Sequence, residues 1–333
     1  MLEKRRRRES KALPFGKFLQ LCRYGFFPNK DELYRFTRYD RALYVTDQQM
    51  LMTAYINGQY AIVLNDKVLF ALAVGPFVHV PKNFAFVDKR CLISLVPEIK
   101  DWSDIKALLI REKLLIVKPI CGLGGKGIQL LHYDGRDFLS NGRKRPWREM
   151  INELSTAGDV IICEYIRQGE FANRLYPHTV NTIRMLSIRH PESNTSFIAA
   201  AAFRIGCSRS LPVDNLSAGG LVCDIDMASG RLGKAATGFF GYGRFHWLEM
   251  HPDTGLRMEG LVIVGWDRIC RKIEEVANQF PYLPYIAWDV ALGYDEIVVI
   301  EGNTWTDVSI FQIYRPLLLN DRIGAFLKYY HII

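Results

Sequence analysis

The chain has 333 residues, 49% of them hydrophobic and 23% charged. That composition excludes a disordered or collagen-like polymer, and the length allows two domains with a core that needs no disulfide staples. The formal net charge is +8. Most of it sits in residues 1–24, where Lys4, Arg5, Arg6, Arg7, Arg8, Lys11, Lys17 and Arg23 face only Glu3 and Glu9. A near-neutral body with a basic arm argues against a nucleic-acid binder, whose charge spreads over a folded face.

No apolar segment of signal-peptide length follows Arg8, so the arm does not read as a secretory leader. Seven cysteines without C-x-x-C spacing point to a reducing cytoplasm. The longest apolar run, Val68 to Val80, contains Gly75 and Pro76 and is too short to span a membrane. Residues 13–60 read as helical, with turns near Gly25–Asn29 and Gly58. Residues 61–80 carry apolar, β-prone stretches. Asp101-Trp-Ser103 caps a helix through Ile105, Leu108 and Leu109. Leu114–Lys118 reads as a buried strand. Pro146 to Ala157 reads as a helix stopped by Gly158. Val160–Ile166 is another strand, and 182–189 pairs with 196–204 across a turn at 191–194. Trp266–Phe280 is a helix with Ile269, Ile273, Val276, Ala277 and Phe280 on one face. Ile286–Leu292 and Ile297–Ile300 close the chain as a strand pair across 293–296. The expected class is α+β.

Two segments carry chemistry. In Lys118-Pro-Ile-Cys-Gly122-Leu-Gly124-Gly125-Lys126-Gly127 the glycines let backbone N–H groups approach phosphate oxygens. A short apolar run and a turn at Asp134-Gly135 follow, so the segment reads as strand–loop–strand and fits neither a Rossmann turn nor a P-loop. Near the C-terminus, a hairpin turn at Tyr294-Asp295 sets Asp289 beside Glu301, and Asn303 shares the face of Glu301. Two carboxylates and an amide oxygen form a hard site that suits Mg²⁺ on nucleotide phosphates rather than zinc. His246, His251 and Lys234 lie in a glycine- and aromatic-rich stretch that reads more readily as a loop than as an acceptor contact.

Taken in order, these segments resemble the ATP-grasp superfamily, and most of all its sugar-transfer-associated group. The shared pieces are the strand-end Lys118-Pro119, the glycine loop, Glu164-Tyr165-Ile166, the Asn181-Thr182-Ile183-Arg184 signature, Asp289 and Glu301-Gly302-Asn303. Gly25 to Pro28 and His251 to Gly255 are similar to further pieces of that group.

The resemblance implies an ATP-grasp fold: two α+β lobes clasping ATP plus a smaller N-terminal lobe. Its expected division is a basic arm (1–24), an N-terminal lobe (25–100), a central lobe with the glycine flap (101–163) and a C-terminal lobe with the metal site (164–333). By resemblance, Lys118 contacts phosphates and Gly122, Gly124, Gly125, Lys126 and Gly127 close over them. Glu164, Tyr165 and Ile166 hold adenine, Gln168 or Glu170 reaches the ribose, and Asn181 belongs to the same nucleotide site. An earlier lysine is expected too, with Lys82 preferred over Lys89. Asp289, Glu301 and Asn303 hold Mg²⁺, while Arg184, Arg204 and Asn215 attend the transferred phosphate. Several relatives in the superfamily carry an arginine two residues before the metal-binding Asp; this chain has Ala287. The implied function is a cytoplasmic Mg²⁺- and ATP-dependent carboxylate–amine ligase acting on a saccharide or polysaccharide precursor through an acyl phosphate. Phosphoryl transfer to a hydroxyl and a nucleotide-binding accessory role are the alternatives. The basic arm reads as a solvated tail or as a peripheral contact with anionic lipid at the inner membrane face.

Overall fold

A computed structural model describes residues 14–122, 127–238 and 245–333. Polar caps set its helices where the sequence places them. Asp101 accepts from the N–H groups of Ser103 and Asp104, and Asp104 reaches back, so a capping box starts the helix Trp102–Glu112. The helix Trp147–Thr156 begins after Pro146, and Gly158 follows its end at a φ of 89°. Ile269, Ile273, Val276 and Ala277 form the buried stripe of the helix Trp266–Asn278.

Residues 61–80 depart from expectation. They form the helices Ile62–Asn65 and Lys67–Val74. The Asp66 carboxylate accepts from the N–H groups of Val68 and Leu69 at 2.8 and 2.9 Å. That N-cap, with burial of Phe70 and Val74, outweighs the β-propensity of the local apolar residues.

Two seven-stranded antiparallel sheets organise the chain. The first runs β2 (Cys91–Ser94), β1 (Asn83–Asp88), β7 (Val160–Glu164), β3 (Leu114–Pro119), β4 (Gln129–Tyr133), β5 (Phe138–Ser140) and β6 (Arg143–Lys144). The second runs β12 (His246–Leu248), β11 (Leu232–Thr237), β10 (Leu221–Ile225), β9 (Ser196–Ile205), β8 (Thr182–Arg189), β13 (Tyr285–Leu292) and β14 (Ile297–Asn303). The strand–loop–strand expected around the glycine loop is β3 paired with β4.

In the first sheet Leu115 and Val117 enter a core with Ile105, Leu109, Met150 and Leu154 of two helices. Alternation along β3 then turns Ile116 and Lys118 to the opposite face. The second sheet is covered on both faces. Trp288, Val290 and Phe203 pack with the helix Trp266–Asn278. Tyr285, Ala287, Ala200 and Ala202 pack with Leu21, Tyr34, Tyr44, Phe311 and Phe326 from the two ends of the chain. Residues of the expected N-terminal lobe thus share both cores of the second sheet: Leu64, Phe70 and Val74 enter one, Phe26 and Met50 the other.

Of the basic arm, residues 1–13 lie outside the described residues. The remainder enters the helix Phe15–Arg23, anchored by buried Leu21, while Phe15 and Leu19 are exposed.

Candidate active site

The β13–β14 ladder sets Asp289 directly opposite Glu301, and Ala287 opposite Asn303. The register shifts beyond Asp289, which leaves Ile300 as an extra residue between Glu301 and Val299. On the other side of β13, Asp289 pairs with Arg184 of β8. One row of the sheet therefore carries Arg184, Asp289 and Glu301 on the same face.

Asp289 is 2% exposed and holds two guanidinium groups. Arg184 donates to it through Nε (2.5 Å) and Nη2 (3.0 Å), and Arg204 of β9 donates through Nη2 (3.1 Å). Burial alone would raise the Asp289 pKa, but Arg184 and Arg204 together hold it below the usual carboxylate value. Burial and then the Asp289 charge push Glu301 the other way, upward. The two shifts in opposite directions leave one carboxyl of the pair favoured as the charged form and the other toward its neutral form.

This donor set fits Mg²⁺. The oxygens of Asp289, Glu301 and Asn303 share one strand face, and the Asn303 amide nitrogen donates to the Ala287 carbonyl at 3.3 Å, which leaves the amide oxygen as the donor atom. Two crowded carboxylates, one of them driven toward its neutral form, are what a divalent cation relieves. No cluster of three or more His, Cys, Asp or Glu side chains suited to a metal occurs among the described residues. The site therefore needs the Asn303 amide and the phosphate oxygens of a bound nucleotide.

Opposite this row, Lys118 leaves β3 with 8% exposure. Lys67 joins it from the helix Lys67–Val74. Its Nζ lies 3.3 Å from the Ile120 carbonyl and 3.4 Å from that of Gly122. Burial lowers the Lys67 pKa, the nearby Glu301 opposes that, and Lys118 adds to it. Two ammonium groups thus face Glu301 at the start of the glycine loop. The sequence reading chose Lys82 for the earlier lysine. Lys82 lines the cleft that Glu164, Tyr165 and Ile166 also line, with its ammonium paired to Glu98 at 2.6 Å, and Lys89 sits at the positive-φ tip of the β1–β2 hairpin. Lys67 was not singled out in the sequence because its helix reads there as apolar, β-prone chain.

Gly127 adopts a φ of 78°, and a Cβ there would meet Pro119 Cγ at 3.0 Å, so glycine is required at that end of the loop. Gly124, Gly125 and Lys126 lie outside the described residues. Glu164, Tyr165 and Ile166 line a cleft of about 440 Å³ with His79, Tyr294 and Val298. Beside it Ile166, Ala291, Val298, Val180 and Ile300 form a small apolar cluster.

Four expected site residues are placed differently. Gln168 and Asn181 are buried in a structural knot: the Asn181 amide donates to Gln168 Oε1 and to the Ala172 and Tyr176 carbonyls, and its oxygen accepts from Thr179 and the Gly206 N–H. Gln168 donates to the Tyr176 carbonyl, so neither amide is free for a ribose. Glu170 opens the helix Glu170–Leu175 as an exposed residue. Asn215 caps a turn through its oxygen to the Ser217 N–H (2.9 Å) and hydroxyl (3.0 Å). The residue that reaches the arginines is its neighbour, Asp214. It accepts from Arg204 Nη2 (3.2 Å) and from the N–H (2.9 Å) and hydroxyl (2.5 Å) of Thr182. His251 is likewise internal, 1% exposed, with its Nε2–H on the Gly206 carbonyl.

The family profile described as sugar-transfer associated ATP-grasp matches residues 47–325. The chain belongs to this family. As an ATP-grasp protein it is similar in structure to PsnB, an ATP-grasp ligase solved with its minimal precursor (16% identity, TM-score 0.40, covering 81% of this chain and 64% of that one). It is also similar to the D-alanine–D-alanine ligase of Bacillus anthracis (13%, 0.41, 80% and 68%). A third similar structure is the D-alanyl-alanine synthetase A of Vibrio cholerae (10%, 0.45, 80% and 66%). The chain spans less than two thirds of the length of the first solved structures it matches. No curated protein matches it. No helix among the described residues is long and apolar enough to cross a membrane.

Proposed function

We propose that this ATP-grasp protein is an Mg²⁺- and ATP-dependent carboxylate–amine ligase acting on a saccharide or polysaccharide precursor. The observation that carries the reading is the convergence of Lys67, Lys118, Arg184 and Arg204 on the Asp289–Glu301 pair. Four cations around three carboxyls, Asp214 included, leave excess positive charge, which is the electrostatic complement of a polyphosphate.

In this reading Lys67 and Lys118 hold nucleotide phosphates, and the backbone of Tyr165 and Ile166 reads adenine above the Ile166–Ala291–Val298 floor. Asp289, Glu301 and Asn303 hold Mg²⁺, which when bound neutralises the phosphate charge. A substrate carboxylate oxygen attacks the γ-phosphorus, the bond to the β-phosphate oxygen breaks, and ADP leaves. Arg204, braced by Asp214, faces the acyl phosphate. An amine then attacks the acyl carbon, loses a proton and expels phosphate. Ala287 favours a second reading, transfer to a hydroxyl, because the arginine that several ligases place there is missing.

Product analysis with ATP and a panel of amino acids and uronic sugars decides between them. ADP with free phosphate and an amide supports the ligase, and a phosphorylated product supports the kinase. No ADP with any pair would refute both and leave the accessory role. The eight basic residues of the arm support a peripheral contact with anionic lipid. Deleting residues 2–11 should then reduce sedimentation with anionic vesicles, and unchanged sedimentation would refute it.

A further inference from the structure

A row of paired residues two positions along from the Arg184–Asp289–Glu301 row runs from Arg204 to the far edge of the second sheet. Arg204 pairs with Val222, Val222 with Ala236, and Ala236 with Trp247. Paired residues share a face, so Trp247 on β12 lies on the face that carries Arg204. Three strand spacings separate them, about 14 Å.

Trp247 is 40% exposed and fixed in place. Phe245 meets its ring edge-on at 5.3 Å, and Tyr314 lies at 5.4 Å on another side. Tyr314 is itself held by its hydroxyl, which donates to the Val222 carbonyl at 2.8 Å. Beside this shelf Arg315 donates through Nη2 alone, to Asp224 at 3.4 Å and to the Ile225 carbonyl at 3.3 Å. Its Nε and Nη1, and the Trp247 indole N–H, make no hydrogen bond among the described residues. Gly233 keeps the space next to Asp224 open, since a Cβ there would meet the Asp224 Cβ at 3.0 Å.

A lone exposed tryptophan means little. Here a braced ring with a free N–H shares a sheet face with the Asp224 carboxylate, and the guanidinium of the residue that follows Tyr314 adds two free donors. The ring offers a π face to the polarised C–H groups of a pyranose, the Asp224 carboxylate accepts from hydroxyls, and the guanidinium edge pairs with an anion. Because the ring is already immobilised, little ordering remains to be done on binding.

We propose that Trp247, Arg315 and Asp224 form a subsite for an anionic pyranose, either a uronate or a sugar phosphate. It holds a unit of the saccharide substrate remote from the reacting group. The proposal deepens the ligase reading and rests on its saccharide substrate, but its test needs no turnover.

The test is fluorine NMR of the full chain labelled with fluorotryptophan, with the Trp247 resonance assigned from Trp247→Phe. The probes are glucuronate, a hexose phosphate, glucose and inorganic phosphate, all without ATP. A saturable shift of that resonance with glucuronate or the hexose phosphate, at least about tenfold tighter than with glucose or phosphate alone, is the expected result. Whichever of the two binds tighter identifies the anion. Arg315→Gln should weaken that binding by about tenfold or more while the thermal midpoint stays unchanged. Absence of any shift, an equal response to glucose, or full affinity in Arg315→Gln would overturn the subsite. A chain that binds these sugars but makes no ADP would retain the subsite and lose the ligase reading.

Discussion

Glu301 stands opposite Asp289 in the β13–β14 ladder, while two arginines hold Asp289 from the other side. Three of the four groups are thus satisfied by each other before any nucleotide arrives. Glu301 is the one kept away from its preferred charge state.

That asymmetry separates stability from turnover. Glu301→Gln keeps the shape of the side chain and removes its charge. Its folded-state pKa is raised, so ionised Glu301 costs stability as pH rises through that value. The variant should melt at neutral pH no lower than the wild type. It should nonetheless lose Mg²⁺-dependent ATP turnover by about a hundredfold or more. Calorimetric melting and ADP release measure the two effects, and wild-type turnover would remove Glu301 from the metal site.

Lys67 and Lys82 should part company. Lys67→Met removes an ammonium that faces Glu301 and Lys118, and should weaken ATP binding by about tenfold or more. Lys82→Met removes an ammonium at the rim of the adenine cleft that is already paired with Glu98, and should weaken ATP binding less than Lys67→Met does. Titration calorimetry with ATP reads both, and the reverse ranking would restore Lys82.

Asp214→Asn tests positioning. The carboxylate braces Arg204 and Thr182 and is itself buried, 6% exposed. Its loss lets the Arg204 guanidinium turn without touching ATP. The expected result is kcat down by about tenfold or more with KM for ATP near the wild-type value. A rise in KM with kcat preserved would make Asp214 part of nucleotide binding instead.

The second sheet was legible in the sequence because its signals were local. The hairpin spacing placed Asp289 against Glu301, and β8–β9 and β13–β14 form where the sequence reading puts them. What was hidden depended on long-range packing. Asp66 turns an apolar stretch into helix and delivers Lys67, which no motif around Lys67 announces. Asn181 carries a family signature, yet its amide closes a loop through Ala172, Tyr176 and Gly206, contacts that no spacing reveals. Asp214 was missed by a single position, because Asn215 resembled a family residue while the chain turns its neighbour inward.

His251 predicts a pH dependence. Its Nε2–H serves the Gly206 carbonyl, and Nδ1 accepts from the N–H groups of Asp253 and Thr254, both at 3.2 Å. Burial lowers its pKa from the ordinary 6.5, so the folded state favours the neutral ring. The stability this gives is complete above that value and is lost as pH falls below it toward the folded-state pKa. Urea midpoints should therefore decline on acidification below about pH 6.5. His251→Asn should lower stability at neutral pH and flatten that decline, and an unflattened slope would assign it elsewhere.

Lys30, 2% exposed, bonds to Ser309 and pairs with Asp47 at 3.3 Å, across 279 positions of sequence to Ser309. During synthesis Asp47 follows Lys30 closely, whereas Ser309 emerges much later. The pocket around Lys30 and the stacked rings of Tyr34 and Tyr44 therefore closes only after the segment with Ser309 and Phe311 has been made. A nascent chain halted before Ser309 carries an unburied aromatic face, the surface that chaperones hold and proteases cut, so closure of this pocket is a late event.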